Sequence, residues 1–189
     1  IGAVGPAMLG LAAEVCDGVR LRPFCTQRYQ ENVVGPIVAK GLGGRGLARE
    51  NFEITGGGFI ATGANDEAVD ARATWIRQRI AFYGSTRAYW PVLQQHDLQD
   101  LGLKLHAMVK AGKWQDLTKE ISDDVLALFT VIGRHDTLAS KVAERFTGLS
   151  DAIYASTAPE LGSDMPPDLI ADIQSIRTDL TALTGSNNR

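Results

Sequence analysis

Two neighbouring residues near the start of the chain could bind an anion. Residues 3–6, of sequence AVGP, join an apolar segment to a predicted helix, and Gly5 would let a phosphate approach the backbone closely. The first N–H groups of a helix are free and carry the positive end of its dipole. The turn at Val4 and Gly5 is therefore a candidate phosphate site, and an ordinary turn between a strand and a helix is the alternative.

Two arginines could supply positive charge beside this turn. Arg20 and Arg22 stand two residues apart on the next predicted strand, so their side chains share one face. Arg22 would lie near the carboxyl end of that strand, and a guanidinium can bind phosphate through two parallel hydrogen bonds. The pair predicts a phosphate contact, with two solvent-facing arginines as the alternative.

Aromatic residues cluster between residues 82 and 91, and His96 follows them. Tyr83, Tyr89 and His96 could line an apolar substrate pocket, or they could pack an inserted lid. We favour a pocket wall at the carboxyl ends of the strands, built from an irregular or short-helical segment. No hydrolase, metalloprotease or kinase motif accompanies any of the three histidines, and no metal site is predicted.

A glycine-rich segment at residues 41–46, GLGGRG, has the spacing of a dinucleotide-binding fingerprint. It follows a predicted helix and precedes a predicted strand, whereas the fingerprint requires the opposite order. The glycines are better explained as a helix end and the turn that follows it, so no Rossmann site is predicted.

The elements that must position these residues alternate between strand and helix, which is typical of a parallel α/β sheet. Strands are predicted at the first residues and at residues 19–24, 52–62 and 150–155. The glycines within residues 52–62 predict a sharp bend or the close approach of a ligand in an interior strand.

The predicted helices connect these strands. One begins at Pro6, a second has its N-cap at Thr26 and a kink at Pro36, and a third has its N-cap at Asn65. Residues 83–132 keep a helical period broken by Gly and Pro, which predicts an insertion of several helices. A helix from residue 136 or 137 to 146 precedes the last strand, and an amphipathic helix spans residues 167–183.

Composition limits the function further. The chain has 189 residues, 44% of them hydrophobic, which suits one domain with a core. Its 19 Lys and Arg residues are scattered and the net charge is −3, so we expect no nucleic-acid partner.

No apolar run is long enough for a membrane span. With only Cys16 and Cys25 present, no disulfide framework is predicted, and a reducing cytoplasm is expected.

The number of strands leaves two architectures, an open doubly wound sheet or part of a closed barrel. A complete (β/α)8 barrel needs about 250 residues and eight strands. Four predicted strands with flanking helices and a helical insertion would supply about half of one, with two strand edges left unpaired.

Three segments resemble luciferase-like oxidoreductases, which are (β/α)8 barrels. IGAVGPAM at residues 1–8 and AAEVCDGV at residues 12–19 resemble the fifth strand, its helix and the start of the sixth strand of that family. IAFYGST at residues 80–86, with YWPVL at 89–93 and His96, resembles a subgroup usually assigned to the deazaflavin coenzyme F420. FTVIG at residues 129–133 resembles the common segment before the last strand.

The resemblance implies that residues 1–189 form a single partial domain, the C-terminal half of such a barrel, with the N-terminal half absent. It implies a phosphate of F420, or alternatively of FMN, at the backbone of Val4 and Gly5 and at the helix start at Met8. Arg22 matches the family's polar residue at the end of strand six, and Arg20 is a weaker match. The strands that carry most ring contacts and the proton donors are absent, so no catalytic residue is assigned.

Two classes of function follow from this resemblance. The first is an F420-dependent oxidoreductase that moves a hydride between the deazaflavin and a small organic substrate, with an FMN-dependent monooxygenase as its near neighbour. The second is a non-catalytic half-barrel, either a remnant or a subunit that pairs to close the sheet. A homodimer is expected, and this chain alone is expected to be inactive.

Overall fold

The computed structural model describes residues 1–154, 161 and 165–178, and in this part of the chain the strands are all parallel. Two separate sheets are present, one of three strands and one of two. The strands are β1 (Gly2–Ala3), β2 (Gly18–Leu21), β3 (Glu53–Thr55), β4 (Phe59–Gly63) and β5 (Thr130–Arg134).

Helices connect and cover the strands. The α-helices are α1 (Pro6–Val15), α2 (Gln27–Tyr29), α3 (Gly35–Arg45), α4 (Asp66–Gly84), α5 (Trp90–Gln94), α6 (Gln99–Lys110), α7 (Asp123–Phe129), α8 (His135–Phe146) and α9 (Pro167–Gln174). A π-helix spans Gln30–Val34, and short 3-10 helices span Arg49–Asn51, Arg87–Tyr89 and Trp114–Glu120. In the described part of the chain, none of the helices is both long and apolar enough to cross a membrane.

The first sheet has the order β1-β2-β3 and continues the predicted alternation of strand and helix. Ala3 pairs with Leu21, and Arg20 pairs with Thr55. Beyond β3, Thr55 forms a parallel bridge with Ala152, so a fourth parallel segment lies at the position predicted for the last strand. The prediction of an α/β fold with parallel strands is confirmed.

The second sheet lies within an excursion between β3 and α8. β4 pairs with β5 from Phe59↔Thr130 to Gly63↔Arg134, and the helices α4–α7 lie between these two strands in sequence. The sequence predicted only helices for residues 83–132 and so missed β5. Its first three residues continue the apolar run of α7, and β5 is largely buried, so it shows no clear alternation that would mark a strand.

The predicted interior strand at residues 52–62 is interior but is not a single strand. It is divided into β3 and β4 by three glycines, of which Gly56 has φ +92 and Gly57 has φ +107. These angles break the extended backbone, and residues with a Cβ rarely adopt them. The sequence predicted either a sharp bend or the close approach of a ligand at these glycines, and the bend is present.

Other element ends differ from the sequence prediction for local reasons. β2 ends at Leu21 rather than residue 24, because Pro23 has no N–H for the ladder. Near Pro36, where a kink was predicted, a π-helix ends at Val34 and α3 begins at Gly35. Only Ala152 of the predicted strand 150–155 is bridged, and residue 155 lies outside the described residues. α9 ends at Gln174, and residues 179–183 of its predicted span also lie outside.

The caps that begin two helices are those predicted from sequence. The Thr26 hydroxyl accepts a hydrogen bond from the Tyr29 N–H at 3.2 Å, and the Asn65 side chain accepts one from the Ala68 N–H at 2.9 Å. The helix predicted to begin at residue 136 or 137 begins one or two residues earlier, at His135.

The main core lies between the first sheet and its helices. Val19, Leu21 and Ile54 are almost fully buried on one face of the sheet. α1 and α3 approach so closely that a Cβ on Gly41 would lie 2.4 Å from the Cβ of Ala13. The other face carries Arg20, which is exposed. The first sheet is thus covered by this chain on one face, and its other face is left open at Arg20.

Candidate functional site

The candidate site lies where the strands of the first sheet end. Val4 follows β1 and Arg22 follows β2, each one residue beyond the pair Ala3↔Leu21. Neighbouring parallel strands lie about 5 Å apart, so this register places Val4 and Arg22 side by side. The structure therefore brings together the turn and the arginine that the sequence predicted as phosphate contacts.

The turn at Gly5 is open. Gly5 is the N-cap of α1, with extended backbone angles and no side-chain cap, and a Cβ built on it would meet no atom within 4 Å. Pro6 has no N–H, so the free donors of the first turn are those of Ala7 and Met8, and the Met8 side chain is exposed. Two backbone donors and the helix dipole can therefore receive an anion here.

Tyr29 fixes the other side of this turn. Its hydroxyl donates a 2.7 Å hydrogen bond to the carbonyl oxygen of Val4, and its ring is almost fully buried. Burial raises the pKa of Tyr29, with a further contribution from Cys25, so the hydroxyl keeps its proton. Sequence analysis missed this residue, although a buried tyrosine hydroxyl must find a partner.

The two arginines of β2 differ in their surroundings. Both are exposed, and neither forms an ion pair with another described residue. The guanidinium carbon of Arg20 lies 5.5 Å from the centre of the Tyr154 ring, whose hydroxyl is buried without a partner among the described residues. Burial raises the pKa of the Tyr89 hydroxyl, and Tyr83 raises it further. Arg22 lies close enough to lower this pKa in part.

The predicted wall residues Tyr83 and Tyr89 pack together beside this site. Their ring centres are 4.9 Å apart, and both rings contact Phe24, which follows the carboxyl end of β2. Tyr83 lies in the last turn of α4 and Tyr89 ends a 3-10 helix, which matches the short-helical segment that was predicted. The aromatic wall thus stands at the carboxyl end of the sheet, next to Arg22.

A cavity of about 520 Å³ lies elsewhere. It is bounded by α8, α9 and residues 150–153, and none of the predicted site residues lines it. Its walls are mostly isoleucine side chains together with Val142, Phe146 and Met165. The aromatic residues therefore do not line this cavity. We place the candidate site at the strand ends because the charged and hydrogen-bonding groups converge there.

His96 is joined to the same region through Thr26. Its Nε2 lies 2.8 Å from the Thr26 hydroxyl oxygen. Burial lowers the pKa of His96, Arg28 and Arg145 lower it further, and Asp97 partly opposes them. The imidazole is therefore neutral near pH 7.

A buried polar network closes the site beneath these residues. The Gln30 amide, which is fully buried, donates to the Ser150 hydroxyl at 3.0 Å and accepts from the Arg145 guanidinium at 3.2 Å. Arg145 also donates to the Gly57 carbonyl at 2.9 Å, and Ser150 donates to the Gly56 carbonyl at 2.7 Å. The network fixes the bend between the two sheets. The glycines were singled out from the sequence, but the hydrogen bonds from Arg145 and Ser150 to their carbonyl oxygens were not predicted.

Cys25 lies beside this network, and we predict that its thiol is unreactive in the folded protein. Burial raises its pKa to about 12, so roughly one thiol in ten thousand is ionised at pH 8. Alkylation with iodoacetamide followed by peptide mass spectrometry should label the half-exposed Cys16 first and Cys25 only after unfolding in urea. Labelling of both cysteines at equal rates in the folded protein would contradict the burial of this thiol.

The described residues contain no group of three or more His, Cys, Asp and Glu side chains placed to hold a metal ion. The site instead offers uncapped backbone N–H groups, an unpaired arginine and tyrosine rings. Such groups suit an anionic ligand that also carries an aromatic or apolar part.

Comparison with known proteins identifies relatives along most of the chain. Uncharacterized proteins of Mycobacterium tuberculosis and Mycobacterium bovis are 40% identical over 153 residues, which are 81% of this chain and 45% of theirs. A 5,10-methylenetetrahydromethanopterin reductase of Archaeoglobus fulgidus is 30% identical over 183 residues, 93% of this chain and 51% of the reductase. The chain spans about half the length of these relatives.

A solved structure has the same fold. The coenzyme F420-dependent tetrahydromethanopterin reductase of Methanopyrus kandleri superposes with a TM-score of 0.68 at 19% identity, covering 93% of this chain and 48% of the reductase. The prediction of about half of a (β/α)8 barrel is therefore confirmed. Residues 1–151, most of the chain, match the luciferase-like monooxygenase family. With the parallel strands, the site at their carboxyl ends and these matches combined, the chain belongs to the luciferase-like monooxygenase family.

Proposed function

We propose that this chain is the C-terminal half of an F420-dependent oxidoreductase that transfers a hydride between the deazaflavin and a small organic substrate. The observation that carries the proposal is the open turn at Gly5 with Arg22 beside it, a site with the donors that a phosphate needs. Two relatives support the choice of cofactor, since the matched solved structure is named as F420-dependent and the Archaeoglobus relative is named as a reductase.

The residues present fit the phosphate end of such a cofactor. The N–H groups of Ala7 and Met8 are uncapped, Gly5 leaves space at the turn, and Arg22 has no competing carboxylate among the described residues. When bound, the deazaflavin would supply the hydride chemistry, and the protein would supply orientation and electrostatics. In this proposal Val4, Gly5, Met8 and Arg22 hold the phosphate.

The remaining predicted residues take secondary roles in the proposal. Arg20 adds positive charge deeper along β2, where it stacks against Tyr154. Tyr83, Tyr89 and His96 form the wall that faces the substrate. The proton donor and most ring contacts would come from the half of the barrel that this chain does not include.

FMN is the second cofactor that these residues would accept, because it carries the same phosphate chemistry. A non-catalytic half-barrel that pairs with another subunit is the alternative from a different class. Titrating the full-length gene product with F420 and with FMN, following ring fluorescence, separates the three. Saturable F420 binding supports the proposal, tight FMN binding alone overturns the cofactor, and binding of neither overturns the enzymatic assignment.

Arg22→Ala in the full-length protein is expected to weaken cofactor binding roughly tenfold to more than a hundredfold. The change removes a hydrogen bond to a charged group, which contributes about 1.5–3 kcal/mol. The fold should survive, because the Arg22 side chain is exposed. The measurement is a fluorescence titration of the variant with the same cofactor.

Lys40→Ala is the matched control for Arg22→Ala. Lys40 is also an exposed cation, but it lies at the middle of α3, a helix that leads away from the strand ends. Its loss should leave affinity unchanged within about twofold. If the two variants bind the cofactor equally well while both stay folded, Arg22 is not a phosphate ligand.

A cytoplasmic homodimer without nucleic-acid or membrane partners stays a prediction of the sequence. Size-exclusion chromatography with light scattering on the full-length protein would measure the oligomeric state directly.

A further inference from the structure

The Thr26 hydroxyl has two polar neighbours, and their geometry determines where its proton points. Its oxygen accepts the Tyr29 N–H at 3.2 Å as the N-cap of α2, and it lies 2.8 Å from Nε2 of His96. Thr26 is almost fully buried, so water does not compete for its proton. Among the described residues, His96 Nε2 is the only acceptor left for that proton, so the hydroxyl donates to it.

This hydrogen bond fixes the tautomer of His96. A neutral imidazole has one donor nitrogen and one acceptor nitrogen, so if Nε2 accepts, the proton is on Nδ1. Protonation of Nε2 would make its N–H a donor to the Thr26 oxygen and leave the buried threonine proton without an acceptor among the described residues. Nδ1 is neither hydrogen-bonded nor buried in the described part of the protein, so its N–H is free to bind a ligand.

The charges around His96 favour a negatively charged ligand atom. Arg28, Arg145 and Asp97 are the charged groups close enough to influence it. Arg145 donates to the carbonyl oxygens of Gln30, Gly57 and Cys25, and it forms no ion pair with a described carboxylate although it is largely desolvated. A cation whose hydrogen-bond partners are all neutral, and on which Glu31 acts only through space, leaves positive potential at this end of the sheet that an anion can use.

We infer that His96 is a specificity residue that donates a single hydrogen bond from Nδ1 to an anionic oxygen of the bound ligand, with its tautomer fixed by Thr26. The ligand group would be a carboxylate or phosphate oxygen. This ligand role rests on the function proposed above, whereas the tautomer is a property of the protein alone. His96 would act by orienting and selecting the ligand, and no proton transfer is required of it.

Long-range ¹H–¹⁵N NMR of the full-length protein near pH 7.5 tests the tautomer, with the His96 signal assigned from its loss in His96→Asn. We expect a protonated Nδ1 and an unprotonated Nε2. Thr26→Ser, which keeps the hydroxyl, should preserve this pattern, and Thr26→Val should mix the two tautomers. A wild-type spectrum showing a protonated Nε2 or an imidazolium would overturn the inference without any variant.

Titration with inorganic phosphate and with acetate tests the ligand class. We expect a saturable shift of the His96 Nδ1 proton with at least one of them, weakened severalfold in Arg28→Gln. No shift with either anion, or a shift only with uncharged acetone, overturns the anionic assignment. Cofactor titration separates the two proposals. If the protein binds F420 but His96 has the opposite tautomer, this inference alone is wrong. If His96 has the expected tautomer but the protein binds neither cofactor, the proposed function is wrong.

Discussion

Asp151→Asn is expected to lower the free energy of unfolding by about 1.5–3 kcal/mol, the range for a hydrogen bond to a charged group. The Asp151 carboxylate accepts a 2.8 Å hydrogen bond from Arg49 and a 2.6 Å bond from the N–H of Ile54 in β3. Arg49 is only 4% exposed and also donates to the carbonyl of Phe52. Removing the negative charge leaves the buried guanidinium without its counterion. Because the Asp151 side chain is 19% exposed, we expect a smaller loss than the roughly 3–5 kcal/mol that is typical of a fully buried pair.

Urea unfolding followed by circular dichroism measures this loss. Asp116→Asn is the control, since its carboxylate lies 2.6 Å from Lys119 in a solvent-exposed pair. Exposed pairs contribute little, so we expect no measurable change. If Asp151→Asn also leaves the free energy of unfolding unchanged, Arg49 is hydrated, and its contact with Asp151 does not hold residues 150–152 to β3.

The proximity of Val4, Gly5 and Arg22 in the candidate site could be predicted from sequence, because it depends only on local rules. In parallel strands the carboxyl ends meet at one edge, and alternate residues share a face. These two rules were enough to place Val4, Gly5 and Arg22 together. The N-caps at Thr26 and Asn65 follow in the same way, from side chains that bond three residues ahead.

The contacts that complete the site could not be predicted in this way. Tyr29 reaches Val4 across 25 residues, and Gln30 reaches Ser150 across 120. Neither the residue type nor the hydrophobic period of the sequence indicates which distant group a buried polar side chain will contact. The sequence could indicate only that a buried tyrosine hydroxyl or amide needs some partner.

The second sheet was missed for a different physical reason. β4 is entirely buried and β5 is largely buried, so they lack the alternation of a half-exposed strand. The boundary between β3 and β4 is marked by Gly56, Gly57 and Gly58. The same glycines would also be expected at a bend or a bulge within a single strand, so they do not by themselves predict two strands. Only the pairing of β4 with β5, residues far apart in sequence, distinguishes two sheets from one.

Gly57→Ala is expected to lower the free energy of unfolding by roughly 2–6 kcal/mol, through backbone strain together with overpacking. Gly57 has φ +107, and a Cβ there would lie 2.5 Å from Nε2 of Gln30. The amide at the end of a glutamine could normally move aside. Here it is fully buried and held by hydrogen bonds to Ser150 and Arg145, so moving it leaves buried polar atoms unpaired.

Gly46→Ala separates the two causes of the Gly57→Ala effect. Gly46 also has a positive φ, +65, at the end of α3, but a Cβ there meets no atom within 4 Å. It should therefore show only the backbone term, about 1–2 kcal/mol. Urea unfolding of both variants gives a difference that combines the Gln30 contact with the greater backbone strain at φ +107. Equal losses would mean that the Gln30 amide yields freely, and that the network around Arg145 does not hold the bend between the two sheets.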